Sequence, residues 1–391
     1  MIYSLLILFA IAPAYVARFG RLDLLELAVA AFWIIFFFWI LARKEFKNFI
    51  AFAKSQPKTL NWAIFLFLLA AAISALISPD KTRATGLFIA YFLEPALTYF
   101  PAKYIFLQNE KNKKLFIGLL LVLAAVFSIY AILQYFTLLG LPSQWWGNAN
   151  EPKRALSVFE YPNAFALYLA PLLAFLLPFV FNADSAKKNL LKLSAFAIGL
   201  AGLILSMSRG GWAGLFIAAL AFIFFQKNKN ITRMVLAGIF IIAAVVLIIP
   251  NLRYRVLLPF VGEKSTVSRF SLWHTADKMI KSSPVLGKGL YGFKSDFNLF
   301  NTDPNLASLN YPHNIFLNFW VETGLLGMLS FLYISFYFFI KSDKKNPYGL
   351  GVALFLIAIY IHGLVDAPYL KNDLALIFWV VLATAPLLTT S

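Results

Sequence analysis

The sequence predicts an all-α polytopic membrane protein with about twelve transmembrane helices and a large, partly helical loop on the outer, periplasmic face. Three observations carry this reading. Of 391 residues, 61% are hydrophobic and only 13% charged, whereas a soluble domain is usually about 45–50% apolar and about 25% charged. Mean hydropathy is +0.78. Apolar runs close to the roughly 20 residues that cross a bilayer also recur from end to end.

In chain order the expected spans are 2–17, 22–42, 60–78, 84–107, 115–139, 162–181, 190–206, 211–225, 231–250, 313–340, 348–366 and 373–390. The first is short, and Met1 leads into it without a basic stretch, which predicts a retained span rather than a cleaved leader. The fourth contains Glu94-Pro95, where the proline frees a carbonyl and kinks a helix. The whole chain, 1–391, reads as one integral membrane domain, with 251–312 as its long periplasmic loop.

Charge sets the orientation. One set of connections carries Arg43, Lys44, Lys47, Lys54, Lys58, Lys103, Lys111, Lys113, Lys114, Lys187, Lys188, Lys192, Lys227, Lys229, Arg233, Lys341, Lys344 and Lys345, 18 basic residues. The alternate set, outside 251–312, carries Arg18, Arg21, Lys81, Arg83, Lys153, Arg154, Arg209 and Lys371, which is 8. The positive-inside rule makes the first set and both termini cytoplasmic. A net charge of +17 is then topology signal and attraction to anionic lipid heads, with no need of nucleic acid. The absence of cysteine excludes disulfides and thiol catalysis. Without a Walker A or Gly-rich nucleotide loop the chain does not read as driven by ATP.

The polar residues that remain gather on the expected outer face. Ser268 to Lys281 has Leu272, Trp273, Ala276, Met279 and Ile280 at helical spacing behind Ser268 in a capping position, which predicts an amphipathic helix lying on the membrane surface. In Ser206 to Trp212, Gly210-Gly211 should break the chain between two spans and expose the first N–H groups of the second beside Arg209, an anion site in outline. Taken alone, that arginine more often reads as an anchor among lipid heads. Arg154 precedes a Pro162-Asn163 helix start. Tyr311 to Gly327 begins a span at Pro312 with His313 and Asn314 at its mouth and Glu322 further in. A histidine there is favoured in its neutral, proton-accepting form, the default general base near neutral pH, although a His-Asn pair capping the helix fits the segment equally well. His362 and Asp366, four apart, share a helix face and read as a structural pair. Glu94 and Glu322 have no role that the residues assign.

Arg154, Phe159, Pro162, Asn163 and Ala166, then Ser208-Arg209-Gly210-Gly211, then Arg269, Trp273, Ala276, Pro284, Gly287 and Gly289, then His313-Asn314 with Gly324 and Gly327 form an ordered pattern. It resembles the O-antigen ligase and polymerase superfamily from about residue 140 to 340. The His-Asn-x9-Gly-x-x-Gly spacing is its most specific part. The resemblance implies a membrane-embedded C-type glycosyltransferase of the bacterial inner membrane, moving a glycan from an undecaprenyl diphosphate carrier to an acceptor hydroxyl on the periplasmic face. It further implies that Arg209 and Arg269 hold the donor diphosphate and that His313 activates the acceptor, with Arg154, Asn163 and Asn314 as further candidates for substrate contact. The arginine-to-glycine spacings of the polymerases do not fit either outer loop, which favours a ligase with a lipid A-core acceptor; a repeat-unit polymerase is the alternative.

The residue types suit that chemistry independently. Arginine gives permanent, bidentate neutralisation of a leaving diphosphate, and a neutral histidine takes the acceptor proton. The chain has no Asp-x-Asp pair to bridge a metal to the diphosphate, so neither metal nor cofactor is expected, and direct displacement should invert the anomeric centre. A lipid-linked glycan transporter or flippase, the rival from another class, would also want many spans and a basic cavity, but transporters often carry inverted repeats that this sequence lacks.

Overall fold

A computed structural model describes all residues except 14–17, 20–21, 149–150, 182–185, 258–263, 305, 307 and 389–391. Arg21 of the outer basic set, the ends of the first and last expected spans, and part of the 251–312 loop therefore lie outside the described residues.

The fold is all-α apart from a two-residue antiparallel ladder pairing Arg18–Phe19 with Leu22–Asp23. In chain order the helices are α1 Ile2–Ile11, α2 Leu24–Ala42, α3 Phe46–Ser55, α4 Lys58–Ile77, α5 Lys81–Leu87, α6 Glu94–Gln108, α7 Glu110–Thr137, α8 Pro162–Val180, α9 Ala186–Leu205, α10 Arg209–Phe225, α11 Lys229–Ile248, α12 Pro250–Leu257, α13 Lys264–Ser282, α14 Gly292–Ser295, α15 Phe297–Phe300, α16 Ile315–Lys341, α17 Pro347–Gly363 and α18 Asn372–Ala383. Among the described residues, six helices are long and apolar enough to cross a membrane: α2, α4, α7, α8, α11 and α16. Shorter apolar helices occupy most of the remaining expected spans.

The expected fourth span is divided. A π-helical turn, Phe88–Leu93, separates α5 from α6, and Pro95 sits in the first turn of α6. Proline has no N–H for the carbonyl four residues back. That carbonyl, on Tyr91, instead accepts from the Tyr369 hydroxyl at 2.9 Å, and the same hydroxyl takes the Trp379 indole N–H at 3.0 Å. The carbonyl left over by Pro95 is thus a docking point for the buried Tyr369.

Two compact units divide the chain. The first comprises Met1–Lys113, Lys264–Lys341 and Gly363–Thr384. Its core is aromatic, with Phe319 stacked on Phe331 at 4.1 Å between centroids and Tyr369 edge-on to Phe331 and Phe378. Helix α16 does not run unbroken. Gly324 has φ +67 and ψ −173, a conformation essentially reserved for glycine, and opens the helix. The Pro284-to-Gly289 segment fills the opening: Leu325 donates its N–H to the Val285 carbonyl at 3.0 Å, Lys288 donates to the Val321 carbonyl at 2.6 Å, and Trp320 Nε1 donates to the Pro284 carbonyl at 2.7 Å. A Cβ on Gly324 would lie 2.2 Å from the Val285 oxygen. Close approach on both sides therefore explains why two separate glycine motifs belong to one joint. Glu322, also in this helix, is buried. Gly324→Ala should lower stability by at least the roughly 1–3 kcal/mol that such a backbone conformation costs another residue. Gly86→Ala, with nothing within 4 Å of its Cβ, should be close to neutral. Thermal unfolding in detergent measures both.

The amphipathic segment expected at 268–281 is α13, but it starts earlier, at Lys264, and Ser268 lies inside it rather than capping it. Nor is its apolar face left for lipid. Leu272, Ala276, Met279 and Ile280 are buried in a cluster with Phe293 of α14, Phe297 of α15 and Val321 of α16. The loop supplies its own hydrophobic cover, which packs α13 against α16 at Val321.

The second unit comprises Lys114–Glu263, Ser342–His362 and Ala385–Ser391. Helix α8 is its centre, buried along nearly its whole length. Phe159 and Tyr168 lie 5.2 Å apart at its start, and α9, α10 and α17 pack around it. Gly210 and Gly211 fall inside the first turn of α10 and do not break the chain as expected. The break is one turn earlier, where Met207 takes φ +54.

Candidate active site

In the first unit, motif residues far apart in sequence meet on three consecutive residues, Leu364, Val365 and Asp366, that follow the end of α17. Asn314 donates its side-chain amide to the Leu364 carbonyl at 3.1 Å. Arg269, from α13, donates Nε to the Val365 carbonyl at 3.0 Å. His313 Nδ1 lies 3.0 Å from Asp366 Oδ1. Gly363 brings this segment down onto the start of α16, where a Cβ would come within 2.7 Å of Ile315.

Local geometry explains each position. Helix α16 begins at Ile315 and not at Pro312, so His313 stands just outside it. Asn314 is the cap, its Oδ1 accepting from the N–H groups of Phe316 at 3.0 Å and Leu317 at 3.1 Å. Because its cap is already supplied, His313 is released from that duty. It takes φ +52, uncommon for a residue with a Cβ, and this turns its ring toward Asp366. Tyr311 packs beside it with ring centroids 4.7 Å apart.

Asp366 is 1% exposed, and its Oδ1 also accepts the Ala367 N–H at 3.0 Å. A carboxylate accepts only, so the histidine nitrogen facing it carries the hydrogen, and in the neutral ring Nε2 is the one with the lone pair. About a fifth of the His313 side chain is exposed, which leaves the ring reachable. A buried carboxylate in this place fixes the tautomer and stabilises the imidazolium formed when the ring accepts a proton. The sequence contained this signal in Asp366, but a helical register to His362 concealed it: α17 ends at Gly363, so Asp366 leaves the helix face that the pair was expected to share.

In the second unit the remaining motif residues surround the turn between α9 and α10. Arg154 donates Nε to the Ser206 carbonyl at 3.0 Å and Nη2 to Asn163 Oδ1 at 2.5 Å. Arg255, buried in α12, donates Nε to the Met207 carbonyl at 3.0 Å. These two arginines satisfy carbonyls that the end of α9 leaves over. Arg209, the first residue of α10, reaches the Arg255 carbonyl through Nη1 at 3.4 Å. Two guanidinium groups thus hold the consecutive residues Ser206 and Met207, and the third, that of Arg209, reaches back to Arg255. Arg255 was not singled out from the sequence, because one arginine in a short charged helix has no distinguishing spacing. Arg154 and Asn163, expected to touch substrate, contact one another and the turn. No group of acidic and histidine residues that could hold a metal ion occurs among the described residues.

Residues 194–332 match the family model described as O-antigen ligase. The match supports the resemblance to the O-antigen ligase and polymerase superfamily. The segment typical of the superfamily takes in the α9–α10 turn, Arg209, Arg255, Arg269 and His313, whereas Arg154, Asn163 and Asp366 lie outside it. The chain is also 25% identical over 201 residues to an uncharacterized protein of Haemophilus influenzae, a stretch covering 45% of this chain. It spans about half, 49%, of the length of that relative.

Proposed function

We propose that this protein is a metal-independent, inverting glycosyltransferase that acts as an O-antigen ligase. It moves a glycan from an undecaprenyl diphosphate carrier to a lipid A-core hydroxyl at the periplasmic face of the bacterial inner membrane. The observation that carries the reading is the His313–Asp366 pair, 3.0 Å apart and joined to Arg269 through one short segment.

In the proposed reaction the acceptor oxygen attacks the anomeric carbon of the donor while its proton passes to His313 Nε2. The bond from that carbon to the diphosphate oxygen breaks, and undecaprenyl diphosphate leaves with the electron pair. Asp366 holds the imidazole and balances its positive charge. Arg269 and Arg209 each neutralise charge that develops on the leaving diphosphate. Asn314 positions the base by capping α16.

Purified protein in detergent, given lipid-linked glycan and lipid A-core without any gradient, should glycosylate the acceptor. Elongation of the lipid-linked glycan instead would identify a polymerase. Movement of the donor between the leaflets of vesicles, with no transfer, would identify a transporter.

The orientation has its own test. A cysteine introduced at Ser308 should react with a membrane-impermeant thiol reagent in spheroplasts, because the balance of 18 basic residues against 8 puts the loop 251–312 outside. Reaction only after the cytoplasmic side is opened would reverse the topology.

A further inference from the structure

Among the described helices of eight residues or more, α3 is the most strongly amphipathic, and it buries none of its residues completely. It connects two candidate spans, α2 and α4, through only residues 43–45 and 56–57, so it lies at the level where those spans leave the bilayer. At 3.6 residues per turn, Phe46, Phe49, Ile50, Phe52 and Ala53 share one face, and Asn48 and Ser55 the other. Protein covers one edge of the apolar face: Phe49 packs on Phe36 of α2 at 5.0 Å and on Tyr104 of α6 at 5.5 Å, and Phe52 packs on Tyr104 at 5.3 Å. The other edge, Phe46 and Ile50, is exposed.

Lys47 and Lys54 stand beside that exposed edge, one two turns above the other, and both are exposed. Arg43, Lys44 and Lys58 extend the charge, with Arg43 placed over the Trp39 ring at 5.0 Å. Glu45 is the one acidic residue between 43 and 58, and it is turned inward, accepting from Tyr104 at 3.1 Å and Gln108 at 3.3 Å. The outward-facing charge of the segment is therefore entirely basic.

We propose that α3 is an interfacial lipid-binding element: Phe46 and Ile50 enter the acyl boundary while Lys47 and Lys54, with Arg43, Lys44 and Lys58, take the phosphates of anionic phospholipids. Apolar side chains on one face with lysines at its margin are the arrangement that such an interface selects. The basic row adds a charge-dependent component that zwitterionic lipid does not supply. This assignment is independent of the catalytic reading.

The absence of native cysteine allows single nitroxide labels on the full chain at Ile50→Cys and, separately, Asn48→Cys, in phospholipid vesicles. The label at Ile50 should be relaxed by oxygen and shielded from a water-soluble nickel chelate, and the label at Asn48 should behave in the opposite way. Equal access of the chelate to both would overturn the interfacial placement. For the charge, the full chain in mixed phosphatidylglycerol and phosphatidylcholine is stripped of bulk lipid and its retained lipid weighed by mass spectrometry. Lys47→Gln with Lys54→Gln should reduce the preference for phosphatidylglycerol about tenfold or more. An unchanged preference would overturn the recognition of anionic lipid.

Discussion

Replacing His313 with alanine should leave donor binding near its normal level and lower transfer by about 10²–10⁴-fold. The arginines proposed to hold the diphosphate remain in that variant, and the cap of α16 belongs to Asn314, so the helix start is preserved. What is lost is the lone pair proposed to take the acceptor proton. Asp366→Asn should follow it closely. An asparagine amide facing Nδ1 donates where the carboxylate accepted, which moves the ring hydrogen to Nε2 and removes the base while keeping its position. Single-turnover rates, with donor binding measured on the same preparations, check both variants.

Lysine at Arg269 should abolish most transfer although the charge is kept. The guanidinium uses Nε to hold the carbonyl of Val365, the residue immediately before Asp366, and a lysine has a methylene with no N–H to donate at that point. The change therefore removes the planar fork proposed for the phosphate and loosens the segment that presents the carboxylate to His313. Both losses act on the transition state, and a fall of at least about 10²-fold is expected. Arg209→Lys lacks the second effect, because Arg209 reaches the Arg255 carbonyl and not the segment at 364–366. It should weaken donor binding and leave the pH profile of the remaining activity unchanged. Donor titration and a pH series separate the two arginines; wild-type turnover in both variants would remove them from the mechanism.

Periodicity made most helices legible, because lipid-facing and core-facing stretches alike are apolar over helical lengths. It gave no account of where helices stop. The span expected at 348–366 ends three residues sooner, at Gly363, and that difference alone converts Asp366 from a helix-face neighbour of His362 into the partner of His313. Gly324 and Gly327 show the same limit. A Gly-x-x-Gly spacing suits helices in close contact, yet Gly324 here breaks its helix to admit the backbone of 285–288, and only the φ of +67 separates the two cases. Arg269 and His313 were legible because an arginine in an amphipathic stretch and a polar group at the mouth of a span are costly placements that a sequence displays. Arg255 was hidden because its role, holding the Met207 carbonyl, depends on a turn that no local pattern specifies.

The central claim is that His313 takes a proton and does not merely hold a shape. The most direct measurement is single-turnover transfer by His313→Gln with the lipid-linked donor already bound. Glutamine offers similar reach and a hydrogen bond to Asp366 but no basic nitrogen. The account predicts normal donor occupancy and transfer reduced by about 10²-fold or more. Transfer by the glutamine variant at near the wild-type rate would contradict it.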